Sequence, residues 1–251
     1  MQTRKLGRIL LAIVGVMLTT WIAVAVQQVR KIDDAALKNA DSKSNTGDWL
    51  TYGLNQQEQR YSLLKQIDDT NVGKLGLART YGVGQGGGNQ EATPLVSNGV
   101  LYSITNWSIT FAVDARTGKE IWRYDPKVDR AIQPKVCCGI VNRGLGIYEN
   151  KILVPVLDGR MVALAINSGK EIWSVQTTPP GEDYSVTMAP RIAKGKVIIG
   201  NAGSEYPVRG YVTAYDITTG KQVWRFYTVP GDPKKGFYGN SGDGGSNSNR
   251  M

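Results

Sequence analysis

Histidine is absent from all 251 residues, and the only two cysteines are neighbours, Cys137 and Cys138. The missing imidazole excludes Ser-His-Asp and Cys-His catalysis, histidine-ligated zinc, and Cys-x-x-Cys-His haem attachment within this chain. A Walker phosphate loop is missing too, and so is a glycine fingerprint between a strand and a helix. The glycine run Gly84 to Gly88 precedes a strand and reads as a flexible connecting loop. No basic cluster with interleaved aromatics accompanies the net charge of +9, so nucleic acid is not an expected partner. Any redox or hydrolytic chemistry must therefore rest on a bound cofactor or on an oxygen-ligated metal, with carboxylates and amides as the available ligands.

Long apolar runs are limited to one, Ile9 to Val26, preceded by Arg4, Lys5 and Arg8 and followed by Gln27-Gln28. Residues 1–31 thus read as a signal peptide, with Ala23-Val24-Ala25 as a small-x-small cleavage site, or as a retained membrane anchor at the short end of what spans a bilayer. Either way the rest of the chain is expected outside the cytoplasm. A chain cut after Ala25 loses Arg4, Lys5 and Arg8 and keeps a charge of +6. Residues 32–47 are polar and turn-rich, and read as a linker.

What the chain has in abundance is repetition. The phrase Ala112-Val113-Asp114-Ala115-Arg116-Thr117-Gly118-Lys119-Glu120-Ile121-Trp122 returns at Ala163 to Trp173 and at Ala214 to Trp224, so the tryptophans are 51 residues apart both times. Each copy reads as a strand, a turn of the Asp/Asn-x-x-Thr/Ser-Gly kind, and a second strand ending in Trp. Gly118, Gly169 and Gly220 supply the positive φ of a tight hairpin. Another short β-rich run lies upstream of each copy, at Val100 to Ile104, Ile152 to Val156 and Val197 to Gly200. Four short strands per unit of about 50 residues, with almost no helical periodicity, predict an all-β fold of β-propeller blades, tryptophans packing between neighbours. A degenerate fourth blade is expected near Leu75 to Tyr81, with Arg79 in the Trp place. About four blades make at most a marginal ring, since propellers close with roughly 4–8. Either the chain is a fragment or something else completes it.

Three features stand out against this scaffold. An exported protein favours a Cys137–Cys138 disulfide, but bridging neighbours closes a strained ring of negligible loop length, which suits a rigid platform at a site better than a fold staple. Two free thiols in a loop are the alternative. The third repeat takes 27 residues from Val197 to Trp224, against 22 from Val100 to Trp122 and 21 from Ile152 to Trp173. The excess falls in Asn201 to Gly210, which brings small residues, backbone amides and the carboxylate of Glu205 to a strand end; Glu205 suits a hard cation such as calcium, and Gly203 lets a planar ligand approach. Glu91, Arg143 and Thr187 are ordinary singly, but they occupy corresponding blade ends and so converge on one axis.

Val136-Cys137-Cys138-Gly139-Ile140-Val141-Asn142-Arg143-Gly144 and Gly200-Asn201-Ala202-Gly203-Ser204-Glu205-Tyr206-Pro207-Val208-Arg209-Gly210-Tyr211 closely resemble the quinoprotein alcohol dehydrogenases, as do Trp49-Leu50-Thr51-Tyr52-Gly53 and Tyr227-Thr228-Val229-Pro230-Gly231-Asp232-Pro233. The resemblance implies an eight-bladed periplasmic propeller that uses pyrroloquinoline quinone (PQQ) and calcium, a lanthanide being the alternative metal. It implies oxidation of a small alcohol by hydride transfer, with a cytochrome or quinone as the periplasmic or membrane electron acceptor. The closing Val-Pro-Gly-Asp-Pro leans towards the haem-associated members, although no haem is expected within this chain. Position by position, it implies a Cys137–Cys138 disulfide stacked on the quinone, hydrogen bonds to its oxygens from Glu91, Arg143 and Thr187, a lining of Ala202, Gly203 and Ser204, and metal ligation by Glu205. Arg143 suits its role because a planar guanidinium pairs in a fork with carboxylate or carbonyl oxygens.

The propeller is expected over 48–233 and a Gly/Ser/Asn-rich low-complexity tail over 234–251, which reads as a linker or frameshifted end. The family's second metal ligand, its catalytic aspartate and its tryptophan floor have no counterpart here, so no catalytic residue is assigned and the chain alone is expected to be inactive. The rival reading is a non-catalytic periplasmic scaffold related to outer-membrane assembly lipoproteins. Such a scaffold would need a lipidated cysteine just after the signal, and would have no use for the cysteine pair or the Glu205 insertion.

Overall fold

A computed structural model describes residues 31–229 apart from 44–46, 85–87, 137 and 207. The expected targeting segment (except Lys31), the core of the glycine run, Cys137 and the tail lie outside the described residues. Twelve strands form three antiparallel four-stranded sheets. Blade one is β1 (Leu95–Ser97), β2 (Val100–Ile104), β3 (Thr110–Asp114) and β4 (Glu120–Tyr124). Blade two is β5 (Gly146–Tyr148), β6 (Lys151–Pro155), β7 (Arg160–Ala165) and β8 (Glu171–Gln176). Blade three is β9 (Arg191–Ala193), β10 (Lys196–Gly200), β11 (Tyr211–Asp216) and β12 (Gln222–Tyr227). Strands in each sheet are neighbours in the order of the chain, the meander expected of propeller blades.

The hairpins between the third and fourth strands carry the repeat. Gly118, Gly169 and Gly220 have φ of 73°, 66° and 71°, where any other residue is strained. Asp114 Oδ1 accepts from the Thr117 amide at 2.7 Å and from its hydroxyl at 2.9 Å, and Asp216 does the same with Thr219, both at 2.8 Å. The Asp-x-x-Thr-Gly rule is not obeyed by the second hairpin. Ala165 stands where the others have Asp, and its backbone holds the turn, the carbonyl accepting from the Ser168 and Gly169 amides at 3.2 and 2.9 Å and the amide donating to Lys170 O at 2.8 Å. Each hairpin also contains a bulge, because Ala112 faces Trp122 while Val113 faces Glu120, and so on at the same step of the other two blades. The residue skipped is Ile121, Ile172 or Val223, and all three are exposed, as an unpaired bulge residue on an outermost strand should be.

The tryptophans build the seams. Trp122 Nε1 donates to Ile166 O at 2.8 Å, and Trp173 Nε1 to Ile217 O at 3.0 Å, each reaching into the following blade. A Cβ on Gly169 would lie 2.6 Å from the Trp122 ring, and one on Gly220 2.9 Å from the Trp173 ring. The same glycine therefore serves the turn and receives the neighbour's indole. Blade two has a blade on each side, and all five residues of β6 are buried, whereas β2 and β10 in the flanking blades are partly exposed. A strand buried on both faces reads as a continuous apolar run, which Ile152 to Val154 is.

Two regions differ from the expectation. The stretch read as a linker contains α1 (Asp34–Lys38), capped by Asp33 Oδ1 accepting from the Ala36 amide at 3.0 Å; Ile32, Ala36, Leu37 and Ala40 are buried in the shared core. Short polar spacing hid four apolar contacts that dock it. The degenerate fourth blade is not a sheet among the described residues. Residues 75–84 have no strand pairing there, yet Arg79 sits against Gly118 as the tryptophans sit against theirs, with its Cδ 2.8 Å from where a Cβ would be.

Candidate cofactor site

Antiparallel pairing puts the start of each first strand, the β2–β3 type loops and the ends of the fourth strands at one end of the blades, and all hairpins of the repeat at the other. The residues singled out for chemistry collect at the first end. Arg143 is the hub. Its Nη2 lies 3.1 Å from Glu91 Oε2, and its Nη1 donates to Thr187 Oγ1 at 2.8 Å. These three residues, 96 positions apart from first to last, precede β1, β5 and β9 respectively.

The backbone holds this arrangement. The Thr93 amide donates to Arg143 O at 3.1 Å, and the Arg143 amide donates to Thr187 O at 2.9 Å, so one chain of hydrogen bonds crosses all three blades. Asn142, fully buried beside Arg143, donates from Nδ2 to Pro155 O at 2.7 Å and accepts from the Gly144 amide at 3.0 Å. Buried polar groups of this kind are expensive to leave unpaired and so lock the backbone on either side. Ser108 adds a second stitch by accepting from the Leu157 amide at 3.0 Å. Neither residue was singled out by sequence; Asn142 lies inside the Val-Asn-Arg-Gly motif, and that adjacency was the signal available.

The third-blade insertion is built rather than loose. Ala202 exchanges backbone hydrogen bonds with Ser185, at 2.8 and 3.4 Å. Asn201 Oδ1 accepts from the Tyr211 amide at 2.8 Å, and Tyr184 Oη donates to Arg209 O at 2.8 Å. Gly203 has a φ of 118°, and a Cβ there would meet Asp183 O at 2.8 Å, so only glycine fits. Ser204 and Glu205 are exposed at the crest, with the Ser204 hydroxyl 3.3 Å from Glu205 Oε2. Tyr211, which anchors the base by donating to Thr177 O at 2.7 Å, has its hydroxyl pKa pushed up to about 12 by burial. It is therefore a neutral structural donor across the physiological range.

The crest also reaches the cysteine segment. Tyr206, next to Glu205, donates to Pro134 O at 2.9 Å, and Lys135 pairs with Asp183 at 2.8 Å. Cys138 is exposed, has a φ of 67°, and with Trp107, Gln133, Gly139 and Ile140 lines a cavity of about 380 Å³. The Arg130 guanidinium lies over the Trp107 ring, 4.0 Å from its centroid. The carrier loops of Cys138 and Glu205 thus touch at the same end as Arg143. The expected Cys137–Cys138 bond lies outside the described residues. Among the described residues no cluster of three or more His, Cys, Asp or Glu could hold a metal, and Glu205 is the lone carboxylate at the crest.

The donors fit a planar polyanion with carbonyls. Arg143 has five N–H groups in a fixed fork, only part of which its two partners engage. Thr187 Oγ1 accepts from Arg143 and keeps its own proton to donate. Tryptophan-stitched four-stranded blades, with a guanidinium, a hydroxyl and a small-residue crest at one end, define a propeller protein.

Comparison with known proteins agrees. Residues 49–249 match the PQQ family model described as the glucose/ethanol/alcohol dehydrogenase β-propeller domain, and the chain belongs to that family. Quinohemoprotein alcohol dehydrogenase ADH IIB of Pseudomonas putida is 52% identical over 202 residues, which are 80% of this chain and 29% of the relative. The solved quinohemoprotein alcohol dehydrogenase of Comamonas testosteroni superposes with a TM-score of 0.78 at 46% identity, over 82% of this chain and 30% of that one. A europium-containing methanol dehydrogenase gives 0.72 at 33% identity, over 80% and 34%. The chain spans about three tenths of the length of the curated relatives it matches.

Proposed function

We propose that this chain supplies one wall of a PQQ pocket in a periplasmic enzyme that oxidises a small alcohol and passes electrons to a cytochrome or quinone. The observation that carries this is the Glu91–Arg143–Thr187 cluster, three side chains from three blades drawn together at the end where the Glu205 crest and the cysteine segment meet. When bound, the quinone supplies a two-electron acceptor for the hydride of the alcohol carbon.

The work of this chain is to bind and orient. Arg143 pairs with carboxylate or carbonyl oxygens through its fork, and Glu91 fixes the guanidinium plane by holding Nη2. Thr187 holds Nη1 and presents its hydroxyl proton to the same edge. Ala202, Gly203 and Ser204 offer backbone and small side chains where a flat ring must come close, and Glu205 offers one hard oxygen ligand to calcium or a lanthanide. An oxidised Cys137–Cys138 pair would add a flat, stiff surface to the site. The basic residues and apolar run of the N-terminal sequence, read as a signal or an anchor, support the periplasmic assignment. The remaining metal ligands and the base are supplied from outside the described residues.

The test is titration of the full chain with PQQ and calcium while following quinone absorbance. Saturable binding is expected, weakened roughly tenfold or more in Arg143→Ala, in line with the loss of a charge-assisted fork. Glu205→Ala is expected to abolish the calcium dependence while leaving quinone binding without calcium. Binding that is indifferent to both substitutions would overturn the assignment.

A further inference from the structure

The motif Trp49-Leu50-Thr51-Tyr52-Gly53 lies ahead of the blades and contributes no side chain to the Glu91–Arg143–Thr187 cluster. It is nevertheless fixed in place. Trp49 exchanges backbone hydrogen bonds with Val96 of β1 at 2.8 and 2.9 Å, and the loop that follows is closed by the Arg60 amide donating to Gly53 O at 3.0 Å. Asn55, buried within that loop, donates from Nδ2 to Asp41 Oδ2 at 2.9 Å and to Gln59 Oε1 at 2.8 Å. Leu54, Glu58 and Arg60 hold φ of 74°, 53° and 55°. Left-handed backbone at residues with a Cβ is strained, persists only where the surroundings over-determine it, and gathers at functional sites.

Two guanidiniums lie over the Tyr52 ring, that of Arg60 at 4.6 Å and that of Arg191 in β9 at 4.7 Å from its centroid. Each is tied to the stretch leading into a blade. Arg60 Nη2 donates to Thr93 Oγ1 at 2.6 Å, and Arg191 Nη1 donates to Ala189 O at 2.9 Å. Glu58 holds Arg191 from the other end of the loop as a fork, accepting from Nη2 at 3.0 Å and pairing with Nε. Tyr52 and Arg191 also line a cavity of about 440 Å³, so the ring is held by these cations more than by close packing.

This assembly touches the backbone beside every member of the cluster. Thr93 lies two residues after Glu91, Gly144 directly after Arg143, and Ala189 two residues after Thr187. They meet at Gly144, where a Cβ would lie 3.2 Å from Ala189 Cβ, 3.4 Å from Thr93 O and 3.6 Å from Tyr52 Cδ2. The approaches to three blades and the Tyr52 ring thus converge on one position that leaves no room to spare. The hydrogen bonds that cross the blades, from the Thr93 amide to Arg143 O and from the Arg143 amide to Thr187 O, run past the same point.

We propose that Tyr52, held by Arg60 and Arg191, is a positioning residue that sets how closely the three blades approach at the cofactor end, and with it the geometry in which Arg143 presents its fork. That the fork meets a quinone rests on the function proposed above; that Tyr52 sets the cluster does not.

The test has two arms, both on the full chain. Without quinone, amide hydrogen exchange is read residue by residue by nuclear magnetic resonance. Tyr52→Leu removes the ring and Arg60→Gln one guanidinium; each is expected to speed exchange at the Thr93 and Arg143 amides roughly tenfold more than at the amides of β6. Tyr52→Phe keeps the ring and should restore the exchange of the unaltered chain. With PQQ and calcium, Tyr52→Leu should weaken binding roughly tenfold, whereas Gly169→Ala, which loosens the seam at the hairpin end, should lower unfolding stability and leave the affinity unchanged. Exchange at Thr93 and Arg143 that does not respond to Tyr52→Leu overturns the proposal. So does exchange that rises equally in β6, or an affinity that falls as far in Gly169→Ala as in Tyr52→Leu, because either reports a general loss of stability. Should Tyr52→Leu fail to fold, Arg60→Gln, at an exposed residue, decides by the same readings. If the unaltered chain takes up no quinone, the function proposed above falls, and the exchange arm alone decides for or against Tyr52.

Discussion

The two ends of the blades obey different rules. At the hairpin end the three blades are nearly copies, with the same glycine φ, the same bulge and the same neighbour's ring or guanidinium seated on the turn. At the other end no two loops match: Trp107 and Ser108 hold left-handed backbone in blade one, a tight turn through Gly159 serves blade two, and blade three carries the Asn201–Gly210 crest. The hairpin end is where blade docks on blade, so its geometry is fixed by packing and repeats with the packing. The loop end is joined across the blades by individual hydrogen bonds and an ion pair rather than by one repeated packed contact, so its loops differ, and there a rigid scaffold can position binding groups.

The largest effect should come from breaking the repeated end. Gly169→Ala places a methyl against the Trp122 ring and demands a positive φ of a residue with a Cβ. A loss of about 2–4 kcal/mol in urea unfolding is expected from the combined clash and strain; a loss under about 1 kcal/mol would show that the seam is softer than its geometry. At the loop end, Asn142→Ala leaves Pro155 O and the Gly144 amide without their buried partner. About 1–3 kcal/mol is expected, together with weaker quinone binding because Arg143 is the next residue. Unchanged binding would show that Arg143 is held by its own backbone bonds instead.

The smallest effect sharpens the comparison within the hairpin end. The backbone and side-chain bonds from Thr117 hold the Asp114 carboxyl below its usual range, and those from Thr219, side chain first, do so for Asp216. A carboxyl with a depressed folded pKa contributes stability that is present above its unfolded value near 3.9 and is lost as pH falls through the lower folded value. Between about pH 5 and pH 2, Asp114→Ala with Asp216→Ala should therefore flatten the decline of unfolding temperature with acid. Blade two already lacks this dependence at Ala165. An unaltered acid profile would mean that the carbonyl bonds, as in blade two, hold all three turns.

Particular residues show how far the sequence could be read. Gly118, Gly169 and Gly220 announced hairpins because positive φ is a local requirement, and a 51-residue period announced stacked blades because each unit needs a neighbour to cover its faces. The period also placed Glu91, Arg143 and Thr187 at one end, since strand parity alone decides which end a residue occupies. It misread residues 32–47, where four apolar side chains scattered among polar ones were too few to show a periodicity. Leu75 to Tyr81 has the outline of a strand, but it pairs with no other strand among the described residues.

What the sequence determined by itself is everything set by neighbours along the chain: the strands, the turns, the repeat, and the exclusion of imidazole chemistry. What only the tertiary structure decided is which distant groups meet. That Arg143 bridges Glu91 and Thr187, that Tyr206 ties the crest to Pro134, and that Arg79 takes an indole's place on Gly118 depend on the rotation between one blade and the next. That rotation is fixed by how tryptophan and glycine fill the seam, a contact between residues more than forty positions apart, which no local pattern records.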